Sequence, residues 1–185
     1  MIKALSMIKV LLAMLLLAGC STTPIQTIRD PQMNYLEFIA RADIMVEKAY
    51  PEWYVEDTPI GVDADERGIR FATTSELLDG SLAVTLYEHG YNLAVVEDLA
   101  SVLLHEYVHV KIWNDLKRDF PFNLWCRSAV HEITAYGVEL AQTKINVTSG
   151  MRASTRIGYA LSYTRASLYC PDEILEDFPK PEGSR

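Results

Sequence analysis

Cysteine is scarce, with three in 185 residues, and no two of them have the close spacing that frames a Cys-rich structural zinc site. Bases are outnumbered: 17 Lys and Arg stand against 25 Asp and Glu, for a net charge of −8. That deficit argues against nucleic-acid binding, which draws on basic patches. The apolar run at 10–18 falls well short of the ~20 residues a membrane-spanning helix needs. No internal repeat, second domain or wall-binding module is visible. The length suits one domain with a substantial core and is too short for two comfortable ones.

What the chain does have begins at its N-terminus. Lys3 and Lys9 precede the apolar run, and the run ends in Leu17-Ala18-Gly19-Cys20. A charged n-region, a short h-region and small residues before a cysteine make a secretory signal. This ending resembles the lipobox of bacterial lipoproteins. The resemblance implies a signal peptide over 1–19, a lipidated Cys20 and a tether over 20–31. Ser21 stands where Asp would retain such a protein in the inner membrane, so the resemblance points to the outer membrane, facing the periplasm or the cell surface. Removing 1–19 takes away two lysines and no acid, leaving 15 bases against 25 acids, a net of −10. Anionic headgroups therefore offer no attraction, and the anchor is the lipid itself. In that oxidising compartment the two remaining cysteines, Cys126 and Cys170, read as one disulfide.

The centre of the chain is His105-Glu106-Tyr107-Val108-His109, which reads H-E-x-x-H inside an apolar, helix-compatible stretch. On a helix, residues four apart lie about 40° from one another and one turn apart. Both imidazoles then share a face at a spacing that one tetrahedral Zn²⁺ can bridge. Glu106 lies beside that face, placed to take a proton from a zinc-activated water, whose pKa falls to about 7 on the metal. Buried histidines and carboxylates are costly unless paired or metal-bound, which favours this reading over a chance pattern in a core helix.

A catalytic zinc needs a third protein ligand. A metzincin-like arrangement would use Asp115, six residues past His109. Ile112 stands where that pattern has the glycine of its sharp turn, and on a continued helix Asp115 points about 240° away. The better candidate is Glu132, followed by Ala135 one turn on, a small residue that lets two helices approach. His105, Glu106, His109 and Glu132 with Ala135 resemble the gluzincins, the group of the thermolysin-type zinc peptidases. The resemblance covers about residues 97–143. It implies a His₂Glu zinc site, Glu106 as general base, and a cationic or phenolic donor for the oxyanion. His131, Tyr136, Tyr159, Tyr163 and Arg156 are all candidates for that donor or for support of the ligands. Asp98, Asp115 and Asp119 are further candidates to orient the imidazoles.

Along the rest of the chain, apolar spacing predicts helices over 32–49, 97–117, 128–141 and 151–170. Strands are expected at 69–73, 81–87 and 91–95, with a loop over 51–68, a break at Ser149-Gly150 and a partly disordered tail over 171–185. The acidic run 63–66 lacks the pattern of a Ca²⁺ loop. Helix, strands, then the HExxH helix is also the order of zincin-type peptidases, in which an edge strand beside the active-site helix binds an extended substrate. Strand 82–87 is the expected edge. The fold expected is α+β: a minimal zincin-like domain over 32–170, mainly helical, with a small sheet before the motif helix. The function expected is a membrane-anchored zinc metallopeptidase acting on a peptide or protein, with one Zn²⁺ per chain. The large second domain of most gluzincins is missing, which leaves a small open cleft or one that a protein partner completes. The alternative is a non-catalytic zinc-binding envelope lipoprotein. The retention of Glu106, which such a module would not need, distinguishes the two.

Overall fold

The computed structural model describes residues 33–63, 70–116 and 123–181. The signal-like segment, Cys20, the tether, residues 64–69, Asp119 and the expected helix break at Phe120-Pro121-Phe122 lie outside the described residues. The described residues form an α+β structure of six helices and one three-stranded sheet. None of the helices is long and apolar enough to cross a membrane.

Helix α1 (Tyr35–Ala49) starts at Asn34, whose side-chain oxygen accepts from the Glu37 amide at 2.9 Å. Its residues Phe38, Ile39, Ala42 and Val46 recur at helical spacing and are buried. Strands β1 (Ile60–Asp63), β2 (Ala72–Glu76) and β3 (Leu82–Tyr87) follow, then a single turn of helix α2 (Glu88–Tyr91). The motif helix α3 (Val96–Leu116) leads to α4 (Leu124–Ala141), α5 (Ser149–Tyr169) and a short α6 (Asp172–Leu175).

The main core forms where α1 and the sheet meet α3. Phe38, Val46, Leu86, Leu99, Leu103 and Leu104 are fully shielded there, each contributing roughly 1.5–3 kcal/mol of transfer free energy. A second, smaller core joins α4 to α5 through Ala129, Ile133, Tyr159 and Ala166. Cys126, in the first turn of α4, is disulfide-bonded to Cys170 at the end of α5. This end of the helix pair is therefore covalently closed.

Several expectations change. The sheet order is β1-β3-β2, with β3 parallel to β1 and antiparallel to β2. Strand 82–87 is thus central, because its Leu82, Val84 and Leu86 are all drawn into the core. It cannot accept a substrate strand; β2 is the edge strand that packs on α3. Residues 91–95 form no strand, since the chain after β3 turns at once into α2. The stretch read as loop supplies β1, a strand whose side chains are mostly exposed and so leave no alternating apolar signal. Ser149-Gly150 is no break but the first turn of α5, capped by Thr148, which Asp98 holds through its amide (2.8 Å) and hydroxyl (2.7 Å). The tail is not loose through residue 181: Leu175 and Phe178 pack on the second core, and Tyr159 Oη donates to the Pro179 carbonyl at 2.7 Å.

Candidate metal centre

Helix α3 is apolar almost all round, yet a polar seam runs along one side of it. Asp98, Ser101, His105 and His109 follow one another at spacings of three and four, the repeat that stacks side chains on one face. Every member of the seam has a partner on the later helices. Asp98 holds the cap of α5, and Ser101 and His105 meet Glu139 of α4. His105 and His109 both face Glu132, also of α4.

The three expected ligands converge. His105 Nε2 lies 3.1 Å from His109 Nε2 and 3.5 Å from Glu132 Oε2, and His109 Nε2 lies 3.7 Å from Glu132 Oε1. One donor atom from each of the three lies within 4.8 Å of the others. Bonds of 2.0–2.1 Å at tetrahedral angles would separate two donors by about 3.3 Å, so these spacings fit a single small cation. The surroundings of His105 fit too. His105 Nδ1 lies 3.3 Å from Glu139 Oε2, a partner that can hold a proton on that side and leave Nε2 as the nitrogen that faces the other ligands. Glu139 is itself buried, at 6% exposure, and its other oxygen accepts from Ser101 Oγ and Thr155 Oγ1, both at 2.8 Å.

The electrostatics favour positive charge here. Burial opposes protonation of His105, but hydrogen bonds to Glu132 and Glu139 and the charge of Glu106 outweigh it, and its pKa is pushed up to about 10. Burial, then the His105 charge, pulls His109 down to about 3. Glu132 resists burial and is held below its usual range by His105, with His109 and Arg165 assisting. Three carboxylates surround two imidazoles that cannot both be protonated, an arrangement that a divalent cation would satisfy.

Glu106 stands beside this cluster at 6% exposure, and burial raises its carboxyl above the usual range. Thr74 Oγ1, from β2, donates to Glu106 Oε2 at 2.7 Å. All of these groups line one cleft of about 880 Å³, walled by β2 with Phe71 on one side and by α4 and α5 on the other.

Of the five expected donors, the structure brings only His131 and Tyr136 into the cleft. The Tyr136 ring lies 4.3 Å from that of His105. Burial and the carboxylates of Glu132, Glu139 and Glu106 push its phenol up to about 12, so it keeps its proton at neutral pH. Gly158 of α5 makes room for this ring, since a Cβ there would collide with it. Burial and Arg127 hold the His131 pKa below its ordinary value. Tyr159 is spent on Pro179, Tyr163 packs with it on the second core, and Arg156 does not line the cleft. Among the acids expected to orient the histidines, Asp98 caps α5 and Asp115 faces Lys111 at 3.6 Å.

Sequence reasoning missed Thr74 and Arg165, and it left Glu139 without a role. Glu139 had a signal, because it lies seven residues past Glu132 and so on the same face. Thr74 had none, because its partner is 32 residues away on another element. No protein-family model, curated protein or solved structure matches this chain, so the functional reading rests on the geometry of the site.

Proposed function

We propose that the chain is a zinc-dependent peptidase with a minimal zincin-like fold, carried on a lipid-anchored protein of the bacterial envelope. The observation that carries this reading is the convergence of His105, His109 and Glu132 in a cleft that also holds the buried carboxyl of Glu106. Those three residues would hold the ion. A bound zinc supplies Lewis acidity, acidifying a water and polarising a carbonyl.

The chain's own residues supply the rest. Thr74 occupies Glu106 Oε2, which leaves Oε1 to take a proton from the attacking water and return it to the leaving amide nitrogen. A carboxyl raised by burial suits both halves of that task, since it holds a proton more readily than an exposed glutamate. Tyr136, protonated at neutral pH, can donate to the oxygen that gains charge as the carbonyl is attacked. Glu139 keeps the His105 ring in one tautomer and orientation. The edge strand β2 runs beside these groups and can align an extended peptide by backbone pairing.

The test is metal analysis of the purified chain together with cleavage of a denatured protein mixture. We expect about one zinc per chain in the wild type and in Glu106→Gln, and little in Glu132→Ala. Cleavage should fall at least about 10³-fold in Glu106→Gln and vanish in Glu132→Ala. Full activity in Glu106→Gln would overturn the mechanism. Stoichiometric zinc with no cleavage of any substrate would instead favour the non-catalytic binding module.

A further inference from the structure

The wall of the cleft made by α4 and α5 carries two guanidinium groups at one end. Arg127 lies in the first turn of α4 and Arg165 in the last turns of α5. The Cys126–Cys170 disulfide fixes those two helix ends together, so both arginines belong to the end of the cleft that it closes. Each is half-buried, and each is laid over a tryptophan: Arg127 is 4.3 Å from the Trp113 ring centre, and Arg165 is 5.3 Å from that of Trp125. Stacking steadies the plane of a guanidinium while leaving its N–H edge able to donate. Among the described residues neither side chain has an ion pair within 4 Å, although the chain holds 25 acids; Arg165 acts on Glu132 only at longer range. Arg41 and Lys111, by contrast, each have an acid one helical turn away.

The neighbouring surface is apolar. Leu161, one turn before Arg165, and Ile157, one turn earlier still, line the cleft and yet are 66% and 62% exposed. Large aliphatic side chains left open in a cleft wall offer a seat for another apolar group. Arg127 and Arg165 both line this cleft, so an anionic ligand group finds charge-assisted donors at that end of the wall, separate from the cluster of His105, His109 and Glu132.

We propose that Arg127 and Arg165 form a subsite for a carboxylate of the bound peptide, with Ile157 and Leu161 receiving an apolar side chain beside it. The subsite selects acidic ligands over neutral ones of the same shape. The carboxylate is either the C-terminus of the peptide or an Asp or Glu side chain. The peptide as carrier rests on the peptidase reading, and for that reason binding is measured apart from cleavage.

The experiment titrates the full chain, with one equivalent of zinc, using short peptides and reads tryptophan fluorescence. Trp113 and Trp125 lie under the two guanidiniums and report on their occupancy. One arm compares acetyl-Ala-Ala-Leu-Ala-Ala as free acid and as amide, which probes the terminal carboxylate. The other compares acetyl-Ala-Ala-Leu-Glu-Ala-amide with its Gln counterpart, which probes the side chain. In one arm or the other the acid should bind at least about tenfold more tightly. That ratio should fall to within about twofold in the R127Q/R165Q double variant, while R165K keeps part of it. Equal affinities for acid and neutral peptides in both arms of the wild type would overturn the subsite, as would an undiminished ratio in the double variant. Selective binding without any cleavage would remove the peptidase reading and leave the subsite standing.

Discussion

On one side of the cleft, α3 is wrapped by α1 and the sheet in a core that leaves Leu99, Leu103 and Leu104 no exposure at all. On the other, α4 and α5 share a core of four buried residues and lean on a disulfide. The two sides also carry different cargo. The apolar side holds His105, Glu106, His109 and Thr74, groups whose mutual positions must be fixed closely. The thinner side holds Glu132, Tyr136, Arg127 and Arg165, the groups that would meet a ligand or complete the metal's shell. Close packing fixes a geometry because interiors have few voids into which a side chain can relax. A pair of helices with a small core needs other ties, and here they are a covalent bond at one end and buried polar contacts along its length. Glu139 makes the central contact, gathering Ser101 and His105 from α3 and Thr155 from α5 onto one carboxylate.

The difference can be broken most forcefully at the covalent tie. Replacing Cys126 and Cys170 with serine opens a loop of 44 residues' separation and should lower stability by about 4 kcal/mol on the chain-entropy model. Denaturant unfolding of the oxidised and double-serine proteins measures it. Hydrogen exchange should show the added opening in α4 and α5 first, with the amides of α3 still protected. Equal loss of protection on both sides would mean that the two form one unit and that the contrast is false.

Glu139→Gln probes the polar tie. The variant keeps the shape but removes the charge facing His105 Nδ1, and zinc affinity should fall about 10- to 100-fold. Competition with a chelator of known strength reads the change. An unaltered affinity would show that packing alone orients the ring.

Thr74→Val gives the smallest effect and sharpens the account of the apolar side. Losing a hydrogen bond to a charged carboxylate should reduce kcat by about tenfold. The pH profile carries a sign as well. Glu106 acts as base only when ionised, so activity fails as pH falls through its raised pKa. Thr74 favours the ionised form, and without it the acid limb of the kcat profile should move to higher pH. A limb that stays in place, or moves to lower pH, would separate Thr74 from the base.

Much of the site could be read along the chain because its parts are local. Two histidines and a glutamate lie within one helix and share faces by helical periodicity, and Glu132 lies midway along the next. The pairing of Cys126 with Cys170 followed from there being only two cysteines left after Cys20. The edge strand could not be read this way. Alternation says which residues of β3 face inward but not which strand lies beside it, and the central position went to the most apolar strand. Arg165 was passed over for Arg156 for a similar reason. Both lie on α5, and nothing in the helix itself says which of its faces looks into the cleft.

The amino-acid order by itself indicated the four long helices, the motif and the short list of candidate ligands, since these depend on spacings that the backbone imposes within an element. Which strand guards the cleft, which acid steadies His105 and which hydroxyl holds Glu106 were decided only when the chain packed. The last two join residues 34 and 32 positions apart, and no backbone periodicity reaches across separate elements. Burial of the larger core determines them, by fixing which faces of α3 are left to meet β2 and α4.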